Sequence, residues 1–144
     1  MTSDMFNSRN TAIAFRDELL ANDWPDDARA AVLTGALPDR DPAGHTRDLR
    51  VSGALLGVWS RVRHGYLYPQ FQFHAGGGLR AEVRDLLEIL PRREDRGGWR
   101  AAFWLHSPHA LLDGQTPAAV FVTDPKRVIA AADLEFNGNR DFCW

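Results

Sequence analysis

One cysteine, one lysine and no long apolar run characterise this chain of 144 residues. Cys143 has no partner for an internal disulfide, so a disulfide framework and a cysteine metal cage are both excluded, and nothing calls for an oxidising compartment. No stretch approaches the ~20 apolar residues of a membrane helix. The opening MTSDMFNSRNTAIAF lacks the basic region and continuous apolar core of a signal peptide, so the expectation is a soluble, cytoplasmic protein. Lys126 is the sole lysine, the other sixteen cationic side chains being arginines. A GC-rich coding sequence explains that skew most simply, although arginine also suits bidentate contacts with carboxylates and phosphates. Bulk charge of one sign is missing too: 17 basic against 19 acidic side chains leave a net charge of -2, which rules out a global field for nucleic acid and leaves only a local patch open.

What is present fits one ordinary domain, or two small lobes sharing a core. Hydrophobic residues at 44% and charged residues at 25% are average for globular proteins, against disorder or a coiled coil. Ala12, Phe15 and Leu19 make a helical stripe with Asn10 as its N-cap. Asp23-Trp24-Pro25 predicts a second helix with Ala28, Ala31 and Val32 on its apolar face and a stop at Gly35. LPDRDPAGH reads as a loop and Thr46 to Gly53 as a third short helix.

The period then changes to that of a hairpin, ALLGVWSRVRHGYLYPQFQF, with Gly65 expected to supply positive φ at its turn. In the second arm Leu67, Pro69, Phe71 and Phe73 share one parity; Pro69 makes that arm an edge or ends it. His74-Ala75-Gly76-Gly77-Gly78 is a flexible joint. Beyond it Leu79, Val83, Leu86, Leu87 and Leu90 follow helical spacing up to Pro91, Trp99 to Leu105 forms a short apolar helix, and Thr116-Pro117 and Asp124-Pro125 are cap-plus-proline starts. The predicted class is mainly α with one β-hairpin. Its parts are an N-terminal lobe over 1–74, whose helix–helix–hairpin order suits a degenerate winged helix-turn-helix, a helical bundle over 79–136, and a tail over 137–144.

Chemistry is sparse. His106 and His109 stand three apart, but Pro108 interrupts their helix, and capping or surface roles fit them better than metal. His45, His64 and His74 fall in turns. Asp113-Gly114 is a turn with the glycine left-handed, Gly76-Gly77-Gly78 lacks the residues of a phosphate loop, and Cys143 has nothing beside it to lower its pKa. No enzyme activity, metal or cofactor is expected. Residues 40–63 carry five arginines against two aspartates, and the first 39 carry three arginines against seven acids. Arg47, Arg50, Arg61 and Arg63 are therefore candidate DNA contacts, or else partners of the acidic N-terminal helices.

YLYPQFQF, GGWRAAFWLHSPHALLDGQTPAAVF and DPKRVIAAA together resemble the toxin-binding domain of the Xre/MbcA/ParS antitoxins, over roughly Leu49 to Phe136. The resemblance gives Trp99, Trp104, Gly114, Thr116 and Pro117 the part of motif and structural residues. It implies a small helical antitoxin of a type II toxin–antitoxin system that sterically blocks a RES-domain, NAD-consuming toxin; the apolar helices add the expectation of a homodimer. The family's C-terminal segment occludes the toxin's active-site cleft, which here assigns toxin contact to Asn137, Asn139, Arg140, Asp141, Phe142 and Trp144. Phe142 and Trp144 are large anchors in a polar tail, as binding hot spots require, although the tail would also suit folding back on its own bundle. A helix-turn-helix often precedes this domain and binds the promoter. Here Thr46–Gly53 would have to be the recognition helix, and it is short and contains the strand-favouring Val51.

Overall fold

The computed structural model describes residues 3–36, 41–91 and 96–137. Among the described residues, seven α-helices, three short 3-10 turns and one two-stranded antiparallel hairpin make up the regular structure, which is the mainly helical class expected. α1 runs Ser3–Leu20, starting well before Asn10, because no glycine or proline interrupts the chain there. α2 is Asp27–Leu33; the Asp26 carboxylate caps it by accepting the Arg29 N–H at 3.0 Å.

The second helix thus begins after Pro25, not at it. Trp24 and Pro25 are buried in the preceding loop, where the Pro25 carbonyl accepts the Tyr68 N–H at 2.9 Å. Its buried face is Ala30 and Ala31, while Val32, expected inside, is 77% exposed. α3 is Pro42–Val51, so half of the expected loop is helix with proline in its first turn. His45 is accordingly half-buried on that helix, its Nε2 3.1 Å from Thr34 Oγ1, rather than exposed in a turn. Thr46, fully buried, ties α3 to α2 by donating to the Asp27 carbonyl at 2.7 Å.

β1 (Val58–Ser60) and β2 (Gly65–Leu67) pair with Trp59 opposite Tyr66. His64, not Gly65, takes the left-handed conformation, at φ 50°. The turn spans four residues and its last one reverses the chain; histidine is among the side chains that tolerate this region best. β2 ends before Pro69, and Gln70–Gln72 is a turn of 3-10 helix. The expected alternation therefore fails beyond Leu67: Tyr68, Pro69, Phe71, Gln72 and Phe73 are all buried.

His74 to Gly78 closes as a turn, with the His74 N–H donating to Gly78 O at 2.8 Å and the Gly78 N–H donating to Leu33 O at 2.6 Å. Leu79, expected in the next helix, instead bridges Phe73 as extended chain. α4 (Val83–Ile89), α5 (Trp99–Leu105), α6 (Pro117–Thr123) and α7 (Pro125–Phe136) complete the chain. Thr116 Oγ1 caps α6 through the Ala119 N–H, and Asp124 Oδ1 caps α7 through the Arg127 N–H, as the cap-plus-proline pattern predicts. Gly114 is left-handed at φ 80°, and Asp113 before it as well at 58°, with its carboxylate 2.7 Å from Arg127. One apolar cluster joins Leu56 and Phe71, on one side of the glycine turn, to Val83, Leu86, Leu105, Phe121 and Val128 on the other.

Candidate functional site

The residues that carry chemistry gather in three places, and each begins from a local necessity of the chain. The first lies under the hairpin. Tyr68 is fully buried, so its hydroxyl needs partners: it donates to Asp27 Oδ1 at 2.6 Å and accepts from Arg50 Nε at 3.2 Å. Burial, then the bond to Asp27, hold the phenol protonated well above its ordinary range. The Arg50 guanidinium lies 3.8 Å from the Tyr66 ring centre. Arg50 is therefore a strut between hairpin and helices.

The other arginines singled out in the sequence take no part in its hydrogen bonds. Arg47 is exposed on α3. Arg61 and Arg63, both exposed in the hairpin turn, line different depressions, Arg61 beside Arg16 and Trp99, Arg63 beside Asp26, Asp27 and Asp41.

The second place is the C-terminal end of α5. His106 Nδ1 donates to the Ala102 carbonyl at 2.8 Å, and its ring packs on Trp24 and Phe71. Burial pulls its pKa below the ordinary value, partly offset by that hydrogen bond. His109 caps the short 3-10 turn at Ala110–Leu112, its Nδ1 accepting the Leu111 N–H at 3.2 Å, which leaves Nε2 as the side facing Glu135 Oε2 at 3.2 Å. Both histidines are thus caps, facing different surroundings. Among the described residues no three histidine, cysteine or carboxylate side chains approach as metal ligands.

The third place is where the described chain leaves α7. Trp104 Nε1 donates to Glu135, and the Trp104 ring meets both His109 and Phe136 edge-on at 5.4 and 5.6 Å. These contacts fix the last turn of α7 to α5. Asn137, exposed, donates from Nδ2 to Asp133 Oδ1 at 2.7 Å. Asn139, Arg140, Asp141, Phe142 and Trp144, with Cys143, lie outside the described residues.

Of the motif residues, Trp104 anchors this exit, while Trp99 donates from its indole to the Trp59 carbonyl at 2.9 Å and packs, tilted, against Phe103. Sequence reasoning missed two features. Gln72 is buried as a backbone mimic, its amide accepting the Leu56 N–H at 2.6 Å and donating to the Leu56 and Pro69 carbonyls. Trp59 and Val62, 37% and 90% exposed, leave apolar surface on the hairpin that its alternating pattern alone announced weakly. No helix among the described residues is long and apolar enough to cross a membrane. No family model, no curated protein and no solved structure matches this chain.

Proposed function

We propose that this chain is a toxin-neutralising antitoxin whose partner is gripped by the C-terminal tail, with Asn137, Asn139, Arg140, Asp141, Phe142 and Trp144 as contacts. One observation carries the proposal. The separate sequence pieces that resemble the Xre/MbcA/ParS toxin-binding domain come together in space: Phe71 of YLYPQFQF meets Phe121 of the TPAAVF helix at 5.3 Å and His106, just past the Trp99–Leu105 helix, at 6.2 Å. Val128 of DPKRVIAAA closes the same core. Three fragments, each weak alone, thus pack into one core. The Trp104–Glu135–Phe136 anchor holds the point from which an inhibitory tail would extend.

The protein acts by occlusion, so its own chemistry is that of an interface. Phe142 and Trp144 supply large anchors, Arg140 and Asp141 the paired charges that orient them. NAD chemistry, in a RES-type partner, belongs to the partner. Co-expression with the product of the adjacent gene tests this. The neighbour is expected to arrest growth alone and to be silenced by the full chain but not by one ending at Asn137. A harmless neighbour, or one that this chain neither binds nor silences, refutes it.

A second reading, a DNA-binding regulator, draws on α2 and α3 packed as a pair directly ahead of the hairpin, the element order of a winged helix-turn-helix. It requires Arg47, Arg61 and Arg63 to reach phosphates, with Arg50 already committed to Tyr66 and Tyr68. Salt-dependent retardation of upstream DNA, weakened by Arg47→Ala, supports it; no retardation at low salt removes it.

A further inference from the structure

Between the hairpin, α1 and the start of α5 lies a groove of about 320 Å³. Its apolar lining is Leu20, Trp59, Val62, Tyr66 and Trp99. The rings of that lining are fixed by contacts within the fold. The Trp99 indole donates to the Trp59 carbonyl at 2.9 Å, the Trp59 ring meets Tyr66 edge-on at 5.2 Å, and the Arg50 guanidinium lies against Tyr66 at 3.8 Å. The turn before α5 crosses β1 so closely that a Cβ on Gly98 would stand 2.1 Å from Gly57 O, which locks the start of α5 to the hairpin. Arg16 and Asp17 on α1 and Arg61 on the hairpin turn border the same groove. None of the three has a side-chain hydrogen bond or ion pair among the described residues, so Asp17 leaves both arginines unpaired. The border therefore carries one net positive charge beside uncovered tryptophan.

We propose that this groove binds a small aromatic carboxylate, a planar monoanion whose rings lie against Trp59, Tyr66 and Trp99 and whose carboxylate pairs with Arg16 and Arg61. Volume, lining and charge each select that class. The groove holds the equivalent of roughly ten waters at ~30 Å³ each, room for a bicyclic ring system with its acid group and too little for several residues of a peptide. An apolar lining with a few charged groups at its edge is the usual make-up of a small-molecule site. Aromatic rings gain by packing offset or edge-on against the three rings here, beyond the area they bury. Guanidinium groups match a carboxylate in geometry as well as in sign. A single carboxylate balances the net charge of the border, whereas a dianion meets Asp17 and a cation meets two arginines. The preformed lining leaves little to be ordered on binding. None of the residues assigned to toxin contact lines the groove, so the proposal stands apart from the toxin reading.

The probe is 2-naphthoate, titrated into the isotope-labelled full chain. It is expected to shift the indole N–H signals of Trp59 and Trp99 and the methyl signals of Val62 saturably, leaving those of Trp24 and Trp104 in place. Naphthalene-2-carboxamide, of the same shape but uncharged, is expected to bind at least about tenfold more weakly, the scale of a lost charge-assisted hydrogen bond. Arg16→Gln and Arg61→Gln are each expected to weaken 2-naphthoate to a similar extent; neither side chain is bonded within the described fold, so the Trp24 and Trp104 signals should report an intact core. Absence of a saturable shift at Trp59 and Trp99 overturns the proposal. So does equal affinity for the carboxamide or unchanged affinity in both variants, since the groove is then apolar without an anion site. Shifts spread equally to Trp24 and Trp104 mark adventitious adsorption and overturn it as well. If the Trp59, Trp99 and Val62 signals move with protein concentration before any probe is added, a second copy covers the groove and the proposal fails.

Discussion

Gln72 completes, with its side-chain amide, a two-way hydrogen-bond pair with the backbone of Leu56, at 2.6 and 3.0 Å. Both residues are buried, and the Gln72 backbone carbonyl accepts the Arg80 N–H at 2.8 Å on its other side. One glutamine thus replaces the strand that would otherwise pair with the chain entering β1. Substituting Gln72→Leu keeps the volume but strands a buried N–H and two carbonyls. The expected loss of unfolding free energy is at least about 3 kcal/mol, at roughly 1–3 kcal/mol for each of the three buried groups left unpaired. Denaturant unfolding with an unchanged slope checks it.

Tyr68 and Asp27 give a second, smaller test. Tyr68→Phe removes the hydroxyl that joins the hairpin to α2 and leaves both the Asp27 carboxylate and Arg50 short of a partner. A loss of about 1.5–3 kcal/mol is expected, the scale of a hydrogen bond to a charged group. Arg50→Ala in the same background should cost less than in the native chain, because the two side chains share one network.

His106 sets a pH dependence. Its folded pKa lies below the 6.5 of a free imidazole because burial disfavours the cation. As pH falls, the unfolded chain takes up this proton first. The contribution of His106 to stability is therefore complete above about pH 6.5 and declines as pH drops toward the folded value. The denaturation midpoint of the native protein should fall more steeply on acidification from pH 7 than that of His106→Gln, which keeps a donor for the Ala102 carbonyl and does not titrate. Equal slopes would contradict this.

Much of the C-terminal half is legible in the sequence because its signals are local. Thr116-Pro117 and Asp124-Pro125 announce their helices by cap chemistry, and Trp99 to Leu105 matches the observed α5 residue for residue. The N-terminal half is less legible because tertiary partners decide it. Pro25 would suit a helix start, yet its carbonyl is needed by Tyr68; Leu79 continues a helical stripe, yet pairs with Phe73 as a bridge. Gly65 looks like the turn residue, but the length of the turn puts the reversal on His64. The same holds for the candidate site. Arginine counts suggest a basic patch, and only the folded chain gives Arg50 to the tyrosines. Gln72 is invisible as a structural residue until Leu56 is opposite it.

Growth of cells expressing the adjacent gene's product, with the full chain or with a chain ending at Asn137, tests the central claim most directly. Rescue by the full chain and none by the shortened one, with both folded by the same NMR signals of the Phe71–Phe121 core, is the predicted result. Equal rescue by the shortened chain, or arrest that neither chain relieves, would contradict a tail-borne antitoxin.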